Sequence, residues 1–347
     1  MTRPTTRFPT GIVVSSLLCA LLIGSIARSA DAPPAQKLTG PFTHENLTIF
    51  LVHGPGTLKG EFLTLEEAMK AKKVVVHETS NVNELSIENT GEVAVYVQSG
   101  DIVKGGKQDR TLGTDITLAP QSGKVAIAAF CVEHGRWQQR GGEAADAFSG
   151  SDSIVIGNAA KLAANANYAS GGGQQKVWDE VAANQQKLSK SLKADVAATT
   201  SPSSLQLSLE HPKVQESVES YVSKLKNTID GKENDDVIGY AFAINGKVVG
   251  ADVYGSSALF RKLWPKLLKG AATEASAEMS PDKSKPIDPV SPGHVHDVLR
   301  TAEAGKRTTT AVNGTVEVTT AEAKESVMFE CREKNSEAYL HRSYLKK

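Results

Sequence analysis

Residues 237–254 read VIGYAFAI-NG-KVVGADVY, two apolar runs separated by the dipeptide Asn245-Gly246. Each run has the length of a β-strand and is rich in the β-branched and aromatic residues that strands favour. Asn-Gly is the dipeptide that best fits a two-residue hairpin turn, because both turn residues need a positive φ. The stretch therefore predicts a β-hairpin.

The part of the chain before residue 140 is dominated by predicted strands. Short apolar segments follow one another at close spacing, and Gly, Pro and Asn residues separate them, a pattern typical of a sandwich or barrel-like sheet. Thr64 and Glu67 have the spacing of a capping box and predict one short helix. The predicted strands comprise residues 47–52, 74–77, 85–88, 93–98, 115–118 and 125–131.

The part after residue 140 mixes helices with strands. Apolar residues recur at helical spacing near residues 177–188, 211–230 and 258–268. A second Asn-Gly dipeptide, Asn313-Gly314, predicts another hairpin, and residues 326–331 and 338–341 are expected to add edge strands.

The fold class is therefore predicted to be α+β, with an N-terminal β-rich, sandwich-like half packed against a C-terminal half of helices and β-hairpins. We expect one domain over residues 44–347. Its parts are a β-rich region (44–140), a mixed region (141–270), a loop insertion rich in Ala, Ser and Pro (271–290) and a terminal hairpin region (291–347).

The N-terminus has the pattern of an export signal. Arg3 and Arg7 precede an uncharged, apolar stretch over residues 11–26, and small residues follow at Ala27 and Ser29. This predicts a signal peptide over residues 1–29, with cleavage after Ala30 as the close alternative. A disordered leader over residues 30–43 would follow. We expect an exported protein, periplasmic or secreted, without a stable membrane span after cleavage.

Composition excludes some partners. Lys plus Arg number 39, as do Asp plus Glu, so the chain lacks the excess of positive charge that nucleic-acid binding requires. After signal cleavage two cysteines remain, Cys131 and Cys331. They could form one disulfide in an oxidising compartment, or remain two separate buried thiols, and the sequence leaves both alternatives open.

The segment Gly105-Gly106-Lys107-Gln108-Asp109-Arg110 is the most unusual one. Adjacent glycines let successive backbone N–H groups point at an anion, and a lysine and an arginine add positive charge. One interpretation is a ligand site for an anionic small molecule. The other is a β-bulge or wide turn with solvated charges.

A second segment, residues 131–137, reads CVEHGRW. It offers Glu133 as a candidate general base and Arg136 as a supporting ligand-binding residue, while Cys131 is expected to be buried. Asp101, just before the glycine pair, is the other candidate base. The closing pair of ligands that a metal site needs is missing, so we expect neither a metal nor a cofactor.

These segments resemble the domain family named for its association with ADP-ribosylglycohydrolases and rhodanese-phosphatases. The resemblance spans about residues 44–270. It rests on Glu45-Asn46-Leu47-Thr48, Leu63-Thr64-Leu65-Glu66-Glu67-Ala68, Gly105-Gly106-Lys107-Gln108-x-Arg110, Cys131-Val132-Glu133-x-Gly135-Arg136-Trp137, Val177-Trp178 and Val249-Gly250-Ala251-Asp252-x-x-Gly255.

The resemblance implies a ligand related to NAD or ADP-ribose, and it leaves three functional hypotheses. The first is an exported accessory or ligand-binding domain in which Gly105, Gly106, Lys107, Gln108 and Arg110 hold an anion, with Arg136 in support. The second is a hydrolase of ADP-ribose or phosphate derivatives that uses Asp101 or Glu133. The third is a structural or protein-interaction module without a small ligand.

Overall fold

The structure is a computed structural model. It describes residues 1–2, 36–79, 81–136, 140, 147–155, 157–167, 173–280, 282 and 286–347. Backbone contacts divide the chain into two units, Met1–Ala35 and Gln36–Lys347, and the elements below all belong to the second unit. The predicted signal peptide lies outside the described residues except for its first two. Among the described residues, no helix combines the length and apolar character that a membrane crossing requires.

The described residues contain both strands and helices in large number. In chain order, the strands are β1 (Lys37–His44), β2 (Leu47–His53), β3 (Phe62–Thr64), β4 (Val74–Glu78), β5 (Glu84–Asn89), β6 (Ala94–Val97), β7 (Asp101–Gly105), β8 (Arg110–Leu112), β9 (Ile116–Leu118), β10 (Gly123–Cys131), β11 (Phe148–Ile154), β12 (Val237–Ile244), β13 (Lys247–Tyr254), β14 (Lys306–Ala311), β15 (Val316–Glu322), β16 (Ser326–Glu333) and β17 (Tyr339–Lys346). The α-helices are α1 (Leu65–Lys70), α2 (Asn158–Asn167), α3 (Gln174–Leu192), α4 (Leu205–Leu209), α5 (Pro212–Leu225), α6 (Ser257–Ala277) and α7 (Pro292–Glu303).

The largest sheet has eight strands, all antiparallel to their neighbours, in the order β1-β2-β12-β13-β17-β16-β15-β14. The predicted hairpin forms its centre, and Asn245 and Gly246 have φ values of 51° and 75°, so both turn residues are left-handed as expected. β2 pairs with β12, with Leu47 opposite Ile244. The N-terminal strands β1 and β2 therefore belong to the sheet of the C-terminal half.

The rest of the N-terminal half forms two smaller sheets. One has six strands in the order β11-β7-β8-β10-β5-β4, and the other has three in the order β3-β6-β9. Their buried aliphatic side chains share one apolar cluster, which includes Leu85, Val103 and Leu112. Thr64 caps α1, and its hydroxyl and Glu67 form the two reciprocal hydrogen bonds of the predicted capping box. The α+β class is confirmed.

Helices cover both faces of the eight-stranded sheet. Leu47, Ile49 and Leu51 of β2 join the apolar cluster of α3, α5 and α6, whereas the alternate residues Phe50 and Val52 join that of α7. This alternation is the period-two pattern of a strand that is buried on both faces. The sheet is therefore the middle layer of this part of the fold.

Two segment boundaries and the position of two strands differ from the predicted ones. The expected loop 271–290 begins later, because α6 continues to Ala277 and buries Ala271 and Ala272, whose small side chains give little periodic signal. The expected disordered leader 30–43 contains most of β1, which needs only backbone pairing with β2 on one side. The expected edge strands over residues 326–331 and 338–341 are β16 and β17, which lie inside the sheet.

The two cysteines of the second unit do not form a disulfide. Cys131 ends β10 and Cys331 lies in β16, and both are buried free thiols. Burial raises the pKa of both thiols, because the thiolate loses its hydration. Both cysteines therefore act as small apolar core residues.

The hairpin turn provides a matched test of the fold. A Cβ at Gly246 would lie 2.5 Å from the Asp288 carbonyl oxygen at a φ of +75°, whereas one at Gly314 would have no heavy atom within 4 Å. We expect Gly246→Ala to lower the free energy of unfolding by about 2 kcal/mol and Gly314→Ala to change it by less than about 0.5 kcal/mol. Urea denaturation measures both, and equal losses would contradict the assigned turn geometry.

Candidate functional site

The two segments singled out in the sequence lie against each other. The glycine turn joins β7 to β8, and β8 pairs with the end of β10, with Arg110 opposite Cys131. Glu133 lies just beyond the end of β10, after Val132. Its carboxylate accepts a hydrogen bond from the Asp109 N–H at 3.1 Å, and its carbonyl accepts one from the Gln108 amide at 3.1 Å. The sheet register thus explains why these segments converge.

The backbone of the glycine turn does point its N–H groups at acceptors, but these acceptors belong to the protein. Gly105 and Gly106 have φ values of +117° and +54°. The Gly105 N–H donates to Asp109 Oδ1 and the Lys107 N–H donates to Glu78 Oε1, each at 3.0 Å. The Gly106 N–H donates to a carbonyl. The turn is therefore a backbone nest for the protein's own acceptors.

Glu133 is fully buried and receives donors on both oxygens. Oε1 accepts from Arg136 Nε at 2.7 Å, from the Ser201 hydroxyl and from Arg140, while Oε2 accepts the Asp109 N–H. Burial raises the pKa of this carboxyl, but the hydrogen bonds from Arg136 and Ser201 outweigh it and hold the pKa below its ordinary value. A carboxylate so strongly held as an anion is a poor proton acceptor.

Asp109 is bound in the same way. Arg140 donates to both of its oxygens, at 2.8 Å from Nη1 to Oδ2 and 3.1 Å from Nη2 to Oδ1. The Ser204 hydroxyl adds a bond to Oδ2 at 3.0 Å. A bidentate guanidinium–carboxylate ion pair is the strongest interaction that these two groups form, and this one is buried.

Arg110 and Gln108 complete this arrangement and are also buried. Arg110 Nη1 donates to the backbone and side-chain oxygens of Gln108 at 3.2 and 3.3 Å, and its Nη2 lies 3.7 Å from Glu78 Oε2. Lys107 is the one residue of residues 105–110 whose side chain is exposed. We call the set Glu78, Asp109, Glu133, Arg110, Arg136 and Arg140 the arginine–carboxylate network; its three anions match its three cations.

Asp101 lies apart from this network. It is buried at the start of β7, where Oδ1 accepts from Lys266 Nζ of α6 at 2.9 Å and Oδ2 accepts the Gln98 N–H at 3.1 Å. Within the described ranges, Asp101 and Glu133 share no hydrogen-bonding partner. The two candidate bases therefore do not form a pair of carboxylates around one substrate position, and the contacts of each favour a structural role.

A second buried charge cluster was not predicted as a site. His341 of β17 lies between two carboxylates, with Nδ1 2.9 Å from Asp115 Oδ2 and Nε2 3.1 Å from Asp252 Oδ1. The Tyr254 ring stacks on the imidazole at 4.5 Å. Burial lowers the pKa of His341, but the two aspartates prevail and raise it to about 10, so the imidazole is a cation at neutral pH.

A small polar cavity adjoins this cluster. Its volume of about 20 Å³ suffices for one or two water molecules and is far below that of a typical ligand pocket. Gln98, Ser99, Lys161 and Asn165 contribute polar groups to its lining. The one signal in the sequence was Asp252, a carboxylate that follows the apolar residues 248–251 in the second strand of the central hairpin. Among the described residues, no cluster of His, Cys, Asp or Glu has the arrangement of a metal site.

The fold is therefore that of an α+β domain with three sheets. The charged residues of its two sequence motifs bind one another in the arginine–carboxylate network. The chain belongs to the ARG and Rhodanese-Phosphatase-superfamily-associated Protein domain family, whose model matches residues 36–345. The family that the sequence motifs suggested is thus confirmed, and the match extends to β17, beyond the region of the motifs. Comparison with curated proteins and with solved structures gives no significant match.

The arginine–carboxylate network can be tested through stability. We expect Glu133→Gln to lower the free energy of unfolding by about 3 kcal/mol, because Arg136 and Arg140 lose a buried counter-charge. Glu216→Gln is the matched control, since its side chain is 75% exposed and its ion pair with Lys213 lies at the surface, and we expect a change below about 0.5 kcal/mol. Chemical denaturation at pH 7 measures both, and equal effects would refute a structural role for the network.

The His341 cluster predicts a pH dependence. An unfolded imidazole titrates near 6.5 and the folded one near 10, so the stabilisation is complete below pH 6.5 and is lost as the pH rises toward 10. Over that window, the contribution of His341 falls by about 1.4 kcal/mol per pH unit. We expect His341→Gln to have a lower free energy of unfolding than the unmodified protein at pH 6.5. The difference between the two free energies is expected to be smaller at pH 9. Urea titrations at several pH values measure it, and a constant difference would exclude the buried imidazolium.

Proposed function

We propose that this protein is an exported accessory domain that acts by binding and not by catalysis. The single observation that carries this proposal is that all four carboxylate oxygens of Asp109 and Glu133 already receive donors from the chain. A general base needs a free lone pair that faces a substrate, and a ligand anion would have to displace these carboxylates from the turn. Export is supported by the signal pattern at residues 1–29.

The family motifs then have a scaffolding role. The network links β7, β8 and the end of β10 to Ser201 and Ser204, which precede α4. Paired charges in a buried position fix one arrangement of these segments, since any shift leaves a guanidinium or a carboxylate without its partner. The accessory function would then reside on the surface that this scaffold holds in place.

An anionic small molecule, phosphate-like or ADP-ribose-like, is the second candidate. The exposed side chain of Lys107 favours it, because no ion pair among the described residues occupies this ammonium group at the tip of the turn. Arg136, whose side chain is 8% exposed, could contribute from the rim of the network. The hydrolase alternative has less support, because Asp101 and Glu133 are separately engaged.

A thermal-shift panel on residues 31–347 separates these candidates. The ligands are ADP-ribose, NAD and inorganic phosphate, and the variants are Lys107→Ala and the exposed control Lys124→Ala. A ligand at 100 times its dissociation constant adds about 2.7 kcal/mol, which is readily detected. We expect no ligand to raise the melting temperature. A rise that Lys107→Ala abolishes and Lys124→Ala retains would overturn the proposal in favour of the anion site.

A further inference from the structure

One margin of the eight-stranded sheet is an open edge as far as the described residues show. β14 pairs with β15 on one side, is the last strand of the sheet, and has all six side chains exposed. An unpaired edge presents a row of backbone N–H and C=O groups that can accept another strand. Within the described part of the chain, no strand pairs with the outer side of β14.

The register shows which backbone groups of β14 face outward. Val312 lies just beyond β14, and its N–H donates to the Val316 carbonyl at 2.9 Å. In an antiparallel pair, residues of alternate position direct their N–H and C=O groups toward the same neighbour. Residues 306, 308 and 310 therefore point these groups at β15, and Arg307, Thr309 and Ala311 point theirs outward.

A groove lies beside this edge. Alternate residues of β14, namely Lys306, Thr308 and Thr310, form one wall of a depression of about 380 Å³. Leu162 of α2 and Val327 and Phe329 of β16 supply apolar surface within it. An added strand at β14 would place every second side chain on the same face of the sheet as the groove, beside its wall of Lys306, Thr308 and Thr310, and such contacts give sheet-edge recognition its side-chain specificity.

The charge of the edge selects the occupant. β14 carries Lys306 and Arg307 and no acid, and the nearby pair of Lys347 with Glu322 is neutral. Two positive edges repel each other, so a second copy of this chain is a poor occupant. We propose that β14 is a docking site for an extended, acidic segment of a partner protein, which joins the sheet as a ninth strand and places alternate side chains beside the groove.

This inference does not depend on the arginine–carboxylate network, which involves other strands. A suitable probe is a fluorescently labelled, end-capped peptide with the sequence of residues 315–322, TVEVTTAE, because these residues already form a strand beside β14 and carry the acidic charge that the proposal requires. The peptide has two glutamates and no basic residue. Fluorescence anisotropy with the unmodified chain is expected to show saturable binding that weakens severalfold between 50 and 500 mM salt.

Thr309 allows a matched pair of variants. Thr309→Pro removes an outward N–H without removing a bond to β15, and proline is tolerated on an edge strand in this orientation. It also removes the hydroxyl contact with Thr319 at 2.8 Å, and Thr309→Val removes the same hydroxyl but keeps the N–H. We expect Thr309→Pro to weaken peptide binding about tenfold and Thr309→Val to leave it within about twofold.

The double substitution Lys306→Glu/Arg307→Glu provides a test that does not rely on proline, and it is expected to abolish binding of the acidic peptide. Circular dichroism checks that each variant is folded. No binding of the peptide at low salt, or equal binding to folded Thr309→Pro, would overturn the proposal. A concentration-dependent dimer that Thr309→Pro abolishes, measured by sedimentation, would also overturn it, since the occupant would then be a second copy.

Discussion

The antiparallel pairing of β2 with β12 is the constraint on which the rest of the structure depends. It joins a strand near the start of the second unit to a hairpin much later in the sequence, with Leu47 opposite Ile244. Once this pair exists, the sheet has a two-sided core, α6 can cover one face, and the smaller sheets can pack near α6. Such a non-local contact repays its loop-closure entropy only when the intervening chain is itself compact.

Buried charges then tie the smaller sheets to the larger one. Asp101 of β7 reaches Lys266 of α6, and Asp115 reaches His341 of β17. Each pair costs free energy when it leaves water, and leaving one member alone in the interior costs more. The benefit of such pairs is orientation, since each is satisfied in one relative placement of two layers. The charged pairs at the glycine turn orient segments in the same way, but within the six-stranded sheet.

Local signals in the sequence were sufficient for local structure. The Asn245-Gly246 turn and the Thr64 capping box follow from short-range backbone geometry, so they could be predicted. The strands whose partners are distant, β1 and β17, could not be placed, because a segment's own residues do not encode its neighbours in a sheet. The glycine pair predicted that backbone N–H groups of the turn face an anion, but the sequence does not reveal whether that anion is a ligand or a carboxylate of the chain itself, as Asp109 and Glu78 are. His341 could not be predicted as part of a charge cluster, because its two aspartate partners are distant from it in the sequence.

The position of β17 has a consequence for how the largest sheet holds together. Tyr339–Lys346 lies between β13 and β16 in the interior of that sheet. Without this strand, β13 and β16 would each present an unpaired edge, and the sheet would divide into the group β1-β2-β12-β13 and the group β16-β15-β14. A strand far from β2 in the sequence thus keeps the two groups in one layer.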